Sequence, residues 1–320
     1  MKNNFQHIGL AKLCGWFGIT RQAYYQNSWG GISTTFKEAA VLQQVRFIRN
    51  NHPRIGTRKL YEMLQPFMLE HSIKMGRDAL FSILSANFLL VKNRKRRIQT
   101  TNSYHWLRKY PNLVKEFIPT AINQLWVSDI TYWRLKQSHV YISLITDAYS
   151  HKIVGFHVAE TLEATETIQA LKKALCNLNE ENAQLIHHSD RGLQYCSHAY
   201  VKLLQDYNIR VSMTENGDPL ENAIAERVNG IIKGEYLDTY NVSTIEEAKN
   251  SLQAAIDLYN NERPHLSIGN LTPNQIHQAK KPIKTEKLWK NYYRKPSTFV
   301  NLLQDELPIV NALQDYSIKL

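Results

Sequence analysis

HHSDRGLQY, residues His187–Tyr195, decides the fold when read with ENAIAERVNGIIK, Glu221–Lys233. In the first stretch the apolar pair Leu185-Ile186 runs into a carboxylate, Asp190, followed by Gly192. That pattern describes a strand carrying an acid to the end of a sheet. In the second stretch a helix follows the loop Asn216-Gly217-Asp218-Pro219. Ile224, Val228 and Ile231 give it an apolar stripe, while Asn222, Glu226, Asn229 and Lys233 repeat at helical spacing on another face. A third acid, Asp129, lies upstream in LWVSDITYW, Leu125–Trp133. Two strand acids and one helix acid form an all-oxygen donor set. Such a set suits two Mg²⁺ ions, or Mn²⁺, clamping the oxygens of a phosphoryl transfer.

The surrounding pattern supplies the sheet. Strands are expected at 125–133, 140–146, 152–158, 184–189 and 209–213, and helices at 163–178, 196–207 and 244–260. Three strands at hairpin distances followed by alternating helices and strands describe a mixed α/β sheet. Gly155 inside the third strand marks a bulge or a close approach. If strand 184–189 pairs parallel to strand 125–133, Asp129 and Asp190 sit side by side. Asp147 is expected as a strand-end or turn acid. Glu221 and Glu226 are five residues apart, hence about 140° apart on a helix, so only one can face Asp190. Glu226 shares its face with Asn222 and Lys233, which favours it. His187 and His188 alternate on their strand, so only one can face the site. His188 is either an orienting group behind the ligands or a structural histidine. Residues 214–220 carry turn chemistry, so Glu226 is expected to swing in on its helix when substrate binds.

The 320-residue chain has 43% hydrophobic residues, enough for two or three domains with real cores. Its net charge of +11 is uneven. Residues 1–120 hold 19 Lys/Arg against 5 Asp/Glu, a net +14; residues 121–320 hold 20 against 23, a net −3. A basic front half points to a polyanion partner. Cys14, Cys176 and Cys196 are odd in number and form no CxxC pair, which excludes a zinc knuckle or disulfide framework and fits a reducing compartment. Neither a membrane-length apolar run nor a signal-peptide pattern is evident.

Residues 8–26 read as helix, turn, helix, with Gly18 ending the first and Thr20 capping the second. The second would present Arg21 and Tyr24 to a major groove. Gly30-Gly31-Ile-Ser-Thr-Thr reads as a linker, and helices follow at 36–50, 57–68 and 76–90. Lys92, Arg94, Lys95, Arg96 and Arg97 then put five charges into six residues, suited to phosphate contact. Pro264 and Pro273 are expected to end helices. Near the end, VNLLQD at 300–305 recurs as VNALQD at 310–315; two copies are too few for a solenoid. The expected division is 1–30, 36–97, a linker 98–120, a catalytic unit 121–280 and a tail 281–320.

Over residues 8 to 278 the chain resembles the OrfB-type transposases of bacterial insertion sequences, in the retroviral-integrase-like DDE superfamily. The resemblance rests on WVSDITY at 126–132, TDAYSHKIVGF at 146–156, HSDRGLQY at 188–195, ENAIAE at 221–226 with Lys233, and YNNERPH at 259–265, in the family's order. Thirty-five residues separate Asp190 from Glu226, the family's spacing. Two departures are Glu221, where the family usually has Asp, and Asn87-Phe88-Leu89-Leu90, where a Gly-Leu pair is usual. The resemblance implies an RNase H-like five-stranded sheet with flanking helices behind an all-α helix-turn-helix region. It implies two Mg²⁺ ions held by Asp129, Asp190 and Glu226, and cleavage and joining of double-stranded DNA at element ends. Lys233 would contact DNA, with His188 and Asn222 behind the acids. It further implies a bacterial cytoplasmic, nucleoid-associated protein working as a homo-oligomer on DNA. Members often act as a frameshift fusion with an upstream helix-turn-helix and coiled-coil protein; no sustained heptad occurs here. The competing functions are a DNA-binding regulator that has lost the chemistry and an RNase H-type nuclease. The first would lack an acid, and the second needs no basic reader region.

Overall fold

Every strand expected from the sequence forms, and together they make one sheet. A computed structural model describes residues 8–92, 106–176, 178, 184–215 and 219–279. β1 (Leu125–Arg134), β2 (His139–Asp147) and β3 (Ile153–Ala159) form an antiparallel meander. β4 (Ile186–Ser189) and β5 (Arg210–Met213) then add in parallel on the other side of β1, giving the order β3-β2-β1-β4-β5. A parallel strand needs cover on both faces, and all four residues of β4 are buried. One face carries α5 (Ala164–Leu175), the single turn α6 (Leu193–Cys196) and α7 (His198–Asp206), packed on Trp126, Ile145 and Met213. The other carries α8 (Ala223–Ile231) and α9 (Ile245–Asn261), packed on Trp133, Ile142, Leu144 and Val158.

Both readings of Gly155 are correct. β3 carries a register shift, with Ile145 opposite Gly155 but Thr146 opposite Ile153, and α5 lies directly on the glycine. A Cβ there would meet the Ala170 carbonyl oxygen at 2.3 Å and the Ala174 Cβ at 2.8 Å. Gly155→Ala therefore forces α5 off the sheet. Overpacking of this kind costs about 1–3 kcal/mol, a loss that chemical denaturation will read directly.

In the front half, α1 (Leu10–Trp16) and α2 (Arg21–Asn51) flank a turn in which Gly18 is left-handed, and the Thr20 hydroxyl accepts the Ala23 N–H at 3.0 Å. The linker expected at Gly30-Gly31 is instead helical, inside an unbroken α2 that also spans the boundary placed between residues 30 and 36. Glycine costs a helix about 1 kcal/mol per residue but keeps its backbone N–H, and no proline interrupts the ladder. α3 (Thr57–Glu70) and α4 (Arg77–Ala86) pack with the end of α2 around Val41, Val45, Ile55, Leu60, Leu64 and Leu80. His52, just past α2, joins this unit to the sheet unit. Its ring pairs with the Tyr236 hydroxyl at 2.9 Å and the Glu262 carboxylate at 3.1 Å.

Within residues 106–120, the described part of the expected linker, the stretch 111–113 lies against β5: Met213 N–H donates to the Pro111 carbonyl at 3.3 Å and Leu113 N–H to Ser212 Oγ at 2.9 Å. The helix expected at 196–207 breaks at Ser197, whose hydroxyl caps α7. Pro273 begins a helix, α10 (Pro273–His277), rather than ending one. At the first helical position its fixed φ fits and its missing N–H has no partner to lose. Arg94, Lys95, Arg96, Arg97 and the tail 281–320 lie outside the described residues.

Candidate active site

The β1–β4 register builds the site. Leu125, Trp126 and Val127 pair in parallel with Ile186, His187 and His188. Carried forward by the same offset, Asp129 is level with Asp190. Strand alternation fixes the face. Leu125, Val127 and Ile186 cluster with Ala225 of α8, so Asp129, two residues beyond Val127, points to α8 as well. There its Oδ2 accepts from Asn229 Nδ2 at 2.8 Å and its Oδ1 from the Ile130 N–H at 2.9 Å. Burial, then the charge of Asp190, push its carboxyl up to about 7; Glu226 adds to the rise, while the bonds from Asn229 and Ile130 oppose it.

Asp190 is fixed by a local turn, its Oδ1 accepting the Gly192 N–H at 3.0 Å. Glu226 stands exposed in the first turn of α8. The helix beneath it is already held at two points. Asn222 Nδ2 donates to the Ser128 carbonyl at 2.9 Å and Asn229 donates to Asp129, one turn before and one after Glu226. Lys233 lies one further turn along, where Nζ donates to the Tyr132 carbonyl and sits 3.8 Å from the centroid of that ring. The polar face read from the sequence therefore tracks β1 from Ser128 to Tyr132. Among the described residues no three acidic, histidine or cysteine side chains stand in metal-binding geometry. Asp129 and Asp190 are neighbours, and Glu226 is near enough to act on Asp129. The two asparagine bonds hold α8 on β1 either side of Glu226, behind the loop from which a helix swing is expected. Asn216, Gly217 and Asp218 of that loop lie outside the described residues.

The remaining candidates separate clearly. His188 is fully buried and uses both ring nitrogens, on Ser212 Oγ at 2.8 Å and the Glu221 carbonyl at 3.1 Å, so it ties β4 to the segment entering α8. Burial pulls its pKa down to about 4, which keeps it neutral. Glu221 accepts the Glu215 N–H at 2.6 Å. Asp147 accepts Ser150 N–H and Oγ at 2.7 Å each and the Asn123 N–H at 2.7 Å, making it the turn acid expected. Arg21 and Lys92 are exposed on the helical unit, and Tyr24 is half-buried there. Sequence reasoning placed Asn229 on the right face without assigning it the Asp129 contact. It passed over Ser128, whose hydroxyl bonds Tyr195 at 2.9 Å beneath the acids. The helical spacing of Asn229 from Glu226 was the available signal for the first; nothing marked the second.

The raised carboxyl of Asp129 has a consequence for stability. Its folded pKa, about 7, lies above its ordinary 3.8, so between those values the folded state holds the proton more tightly than the unfolded chain. The contribution is fully present below about pH 4 and is lost as pH rises to about 7. Denaturation of the metal-free protein at stepped pH should show this decline, and Asp129→Asn should remove that part of it.

The chain matches the integrase core domain family over residues 119–219 and a second integrase core domain family over residues 207–273, ranges that take in all three acids. It is 34% identical over 265 residues to the 31 kDa protein of insertion element IS600 from Shigella sonnei, covering 82% of this chain and 96% of that one. It is 29% identical over 234 residues to the transposase for insertion sequence element IS629, also from Shigella sonnei, covering 73% and 77%. Among solved structures it is similar to the HTLV-2 integrase catalytic core domain in complex with magnesium, at 23% identity and a TM-score of 0.41, covering 49% of this chain and 97% of that one. With its central acids, its five-stranded sheet and a near full-length match to an insertion-element protein, this chain belongs to the insertion-sequence transposases of the integrase-like superfamily.

Proposed function

We infer that the chain is a DDE polynucleotidyl transferase that cleaves double-stranded DNA at insertion-sequence ends and joins the freed ends to target DNA. Asp129, Asp190 and Glu226 are its metal-holding acids. The observation that carries this reading is the parallel β1–β4 register, which brings two carboxylates level under a helix bearing the third. The donor set fits divalent ions. All three candidate ligands are carboxylates, and burial first, then the charges of Asp190 and Glu226, raise Asp129, a cost that cations would relieve. When bound, two Mg²⁺ or Mn²⁺ ions would supply Lewis-acid polarisation of a phosphodiester and neutralise its developing charge.

The chain's own groups prepare that site. Asn229 and the Ile130 N–H orient the Asp129 carboxyl, and the Gly192 N–H orients Asp190. Asn222 and His188 hold the start of α8 against β1 and β4, which keeps Glu226 on the side of the two strand acids. Lys233, stored against Tyr132, is placed to meet a phosphate. Arg21 and Tyr24 read bases, whereas Lys92 with Arg94, Lys95, Arg96 and Arg97 hold the backbone, and the protein works on DNA as an oligomer of this chain. The test is a strand-cleavage and strand-transfer assay with Mg²⁺ on duplexes bearing the ends of the element that encodes the chain. Cleavage at the element boundary followed by joining to a second duplex is the expected result. Cleavage of RNA–DNA hybrids without joining would replace this reading with the nuclease.

A further inference from the structure

Four helices close on the same motif. After α1, α3, α4 and α7 the second residue beyond the cap returns its N–H to a carbonyl in the last turn: Ile19 to Cys14 at 3.0 Å, Ile73 to Met68 at 2.8 Å, Leu89 to Leu84 at 2.8 Å and Ile209 to Leu204 at 2.9 Å. The residue before each is left-handed, and these are Gly18, Ser72, Phe88 and Asn208. Glycine and asparagine are the usual occupants, because a Cβ crowds the backbone in this conformation. Phe88, at φ 56°, is the only hydrophobic side chain with positive φ among the described residues. It is also 95% exposed, so no packing on the described residues compensates for the strain. Backbone strain of this kind collects at functional positions.

The turn that presents Phe88 is tied to the helical unit. Leu89, partly buried, packs against that unit's core, and Arg49 Nη1 donates to its carbonyl at 2.7 Å. That bond draws the Arg49 guanidinium inward, with Nε and Nη2 buried, and the exposed cation that follows Phe88, four residues after it, is Lys92. Leu90 adds a second partly exposed apolar group at 41%. The whole front segment carries a net +14 over residues 1–120. An exposed aromatic held on a segment of net positive charge suits a partner with negative charge outside and flat apolar faces within, which describes duplex DNA. The geometry points to Phe88 as a wedge that inserts between base pairs while the neighbouring cations hold the phosphates. This rests on the transposase reading above and adds to it a residue that deforms the bound DNA.

The test uses the full chain and a mixed-sequence duplex carrying a fluorescent adenine analogue whose emission rises on unstacking. Binding of the natural protein should raise that emission. Phe88→Gly should gain stability, about 2–4 °C in Tm, because the strain is relieved. It should also bind about tenfold more weakly and lose the emission rise. Phe88→Asn should behave like Phe88→Gly, and Phe88→Trp should keep both binding and signal. If Phe88→Gly and Phe88→Asn bind with unaltered affinity and the same emission rise, the wedge is wrong while the transposase reading stands. If they bind unchanged but lose self-association in sedimentation, Phe88 serves a protein interface and the wedge is again wrong. If they lose stability, the strain argument fails. If the natural protein binds no duplex at all, both readings fall.

Discussion

Asp129→Asn, Asp190→Asn and Glu226→Gln should each abolish strand cleavage while leaving DNA binding intact. Each substitution keeps the size of the side chain and removes one ligand charge. Loss of a metal-holding carboxylate sacrifices several kcal/mol of transition-state stabilisation, or about three orders of magnitude in rate. The contacts of Asp129 and Glu226 explain why the fold should survive. Glu226 is exposed, and an amide at position 129 still offers an oxygen to Asn229. The positive charge is concentrated in the front half, away from the three acids, so a gel shift should not change. The measurement is nicking of an element-end duplex with Mg²⁺ beside that gel shift. Any one of the three variants cutting at near the natural rate would remove its residue from the site.

The second large effect lies away from the acids. Arg263 is fully buried and makes a two-pronged pair with Glu235, Nε to Oε2 at 2.8 Å and Nη2 to Oε1 at 2.7 Å. Burial pulls the guanidinium pKa down, but the Glu235 hydrogen bonds and charge outweigh it and the net shift is upward. His265 completes the arrangement as an acceptor, its Nε2 taking Arg263 Nη1 at 3.0 Å; burial, then the Arg263 charge, keep it neutral. Glu235 belongs to the π-helical turn Ile232–Tyr236 that extends α8. Arg263→Ala leaves that carboxylate without its partner, a change that costs about 3–5 kcal/mol. Denaturant titration should show a loss of this size. Arg263→Met with Glu235→Leu should recover most of it, since neither charge remains. A loss below about 1 kcal/mol for Arg263→Ala would mean that the pair contributes little.

The YNNERPH segment shows the difference between recognising a motif and understanding it. Its place in the family pattern was legible, but its chemistry was not, because Glu235 lies 28 positions before Arg263 with no periodicity linking them. The sheet was legible for the opposite reason. Apolar runs such as Leu125–Val127 and Leu185-Ile186 are local signals, whereas the parallel pairing that makes Asp129 and Asp190 neighbours was a condition in the sequence and is met in the fold. Asp147 also read correctly, since a strand-end acid before Ala-Tyr-Ser invites a turn. Gly30-Gly31 misled because glycine is a breaker by propensity, and a long helix overrides so small a penalty. Pro273 misled because its meaning depends on which side of it the helix lies. The junction through His52 to Tyr236 and Glu262 joins residues separated by 184 and 210 positions, beyond any local reading.

The central claim is that Asp129, Asp190 and Glu226 become one metal site when DNA is bound. The direct measurement is the anomalous scattering of Mn²⁺ in crystals of the protein with an element-end duplex. Mn²⁺ should lie between Asp129 and Asp190, with the Glu226 carboxylate turned inward to within coordination distance and the scissile phosphate beside it. Mn²⁺ absent from the two aspartates, or bound there with Glu226 still facing solvent while the phosphate is in place, would contradict the account.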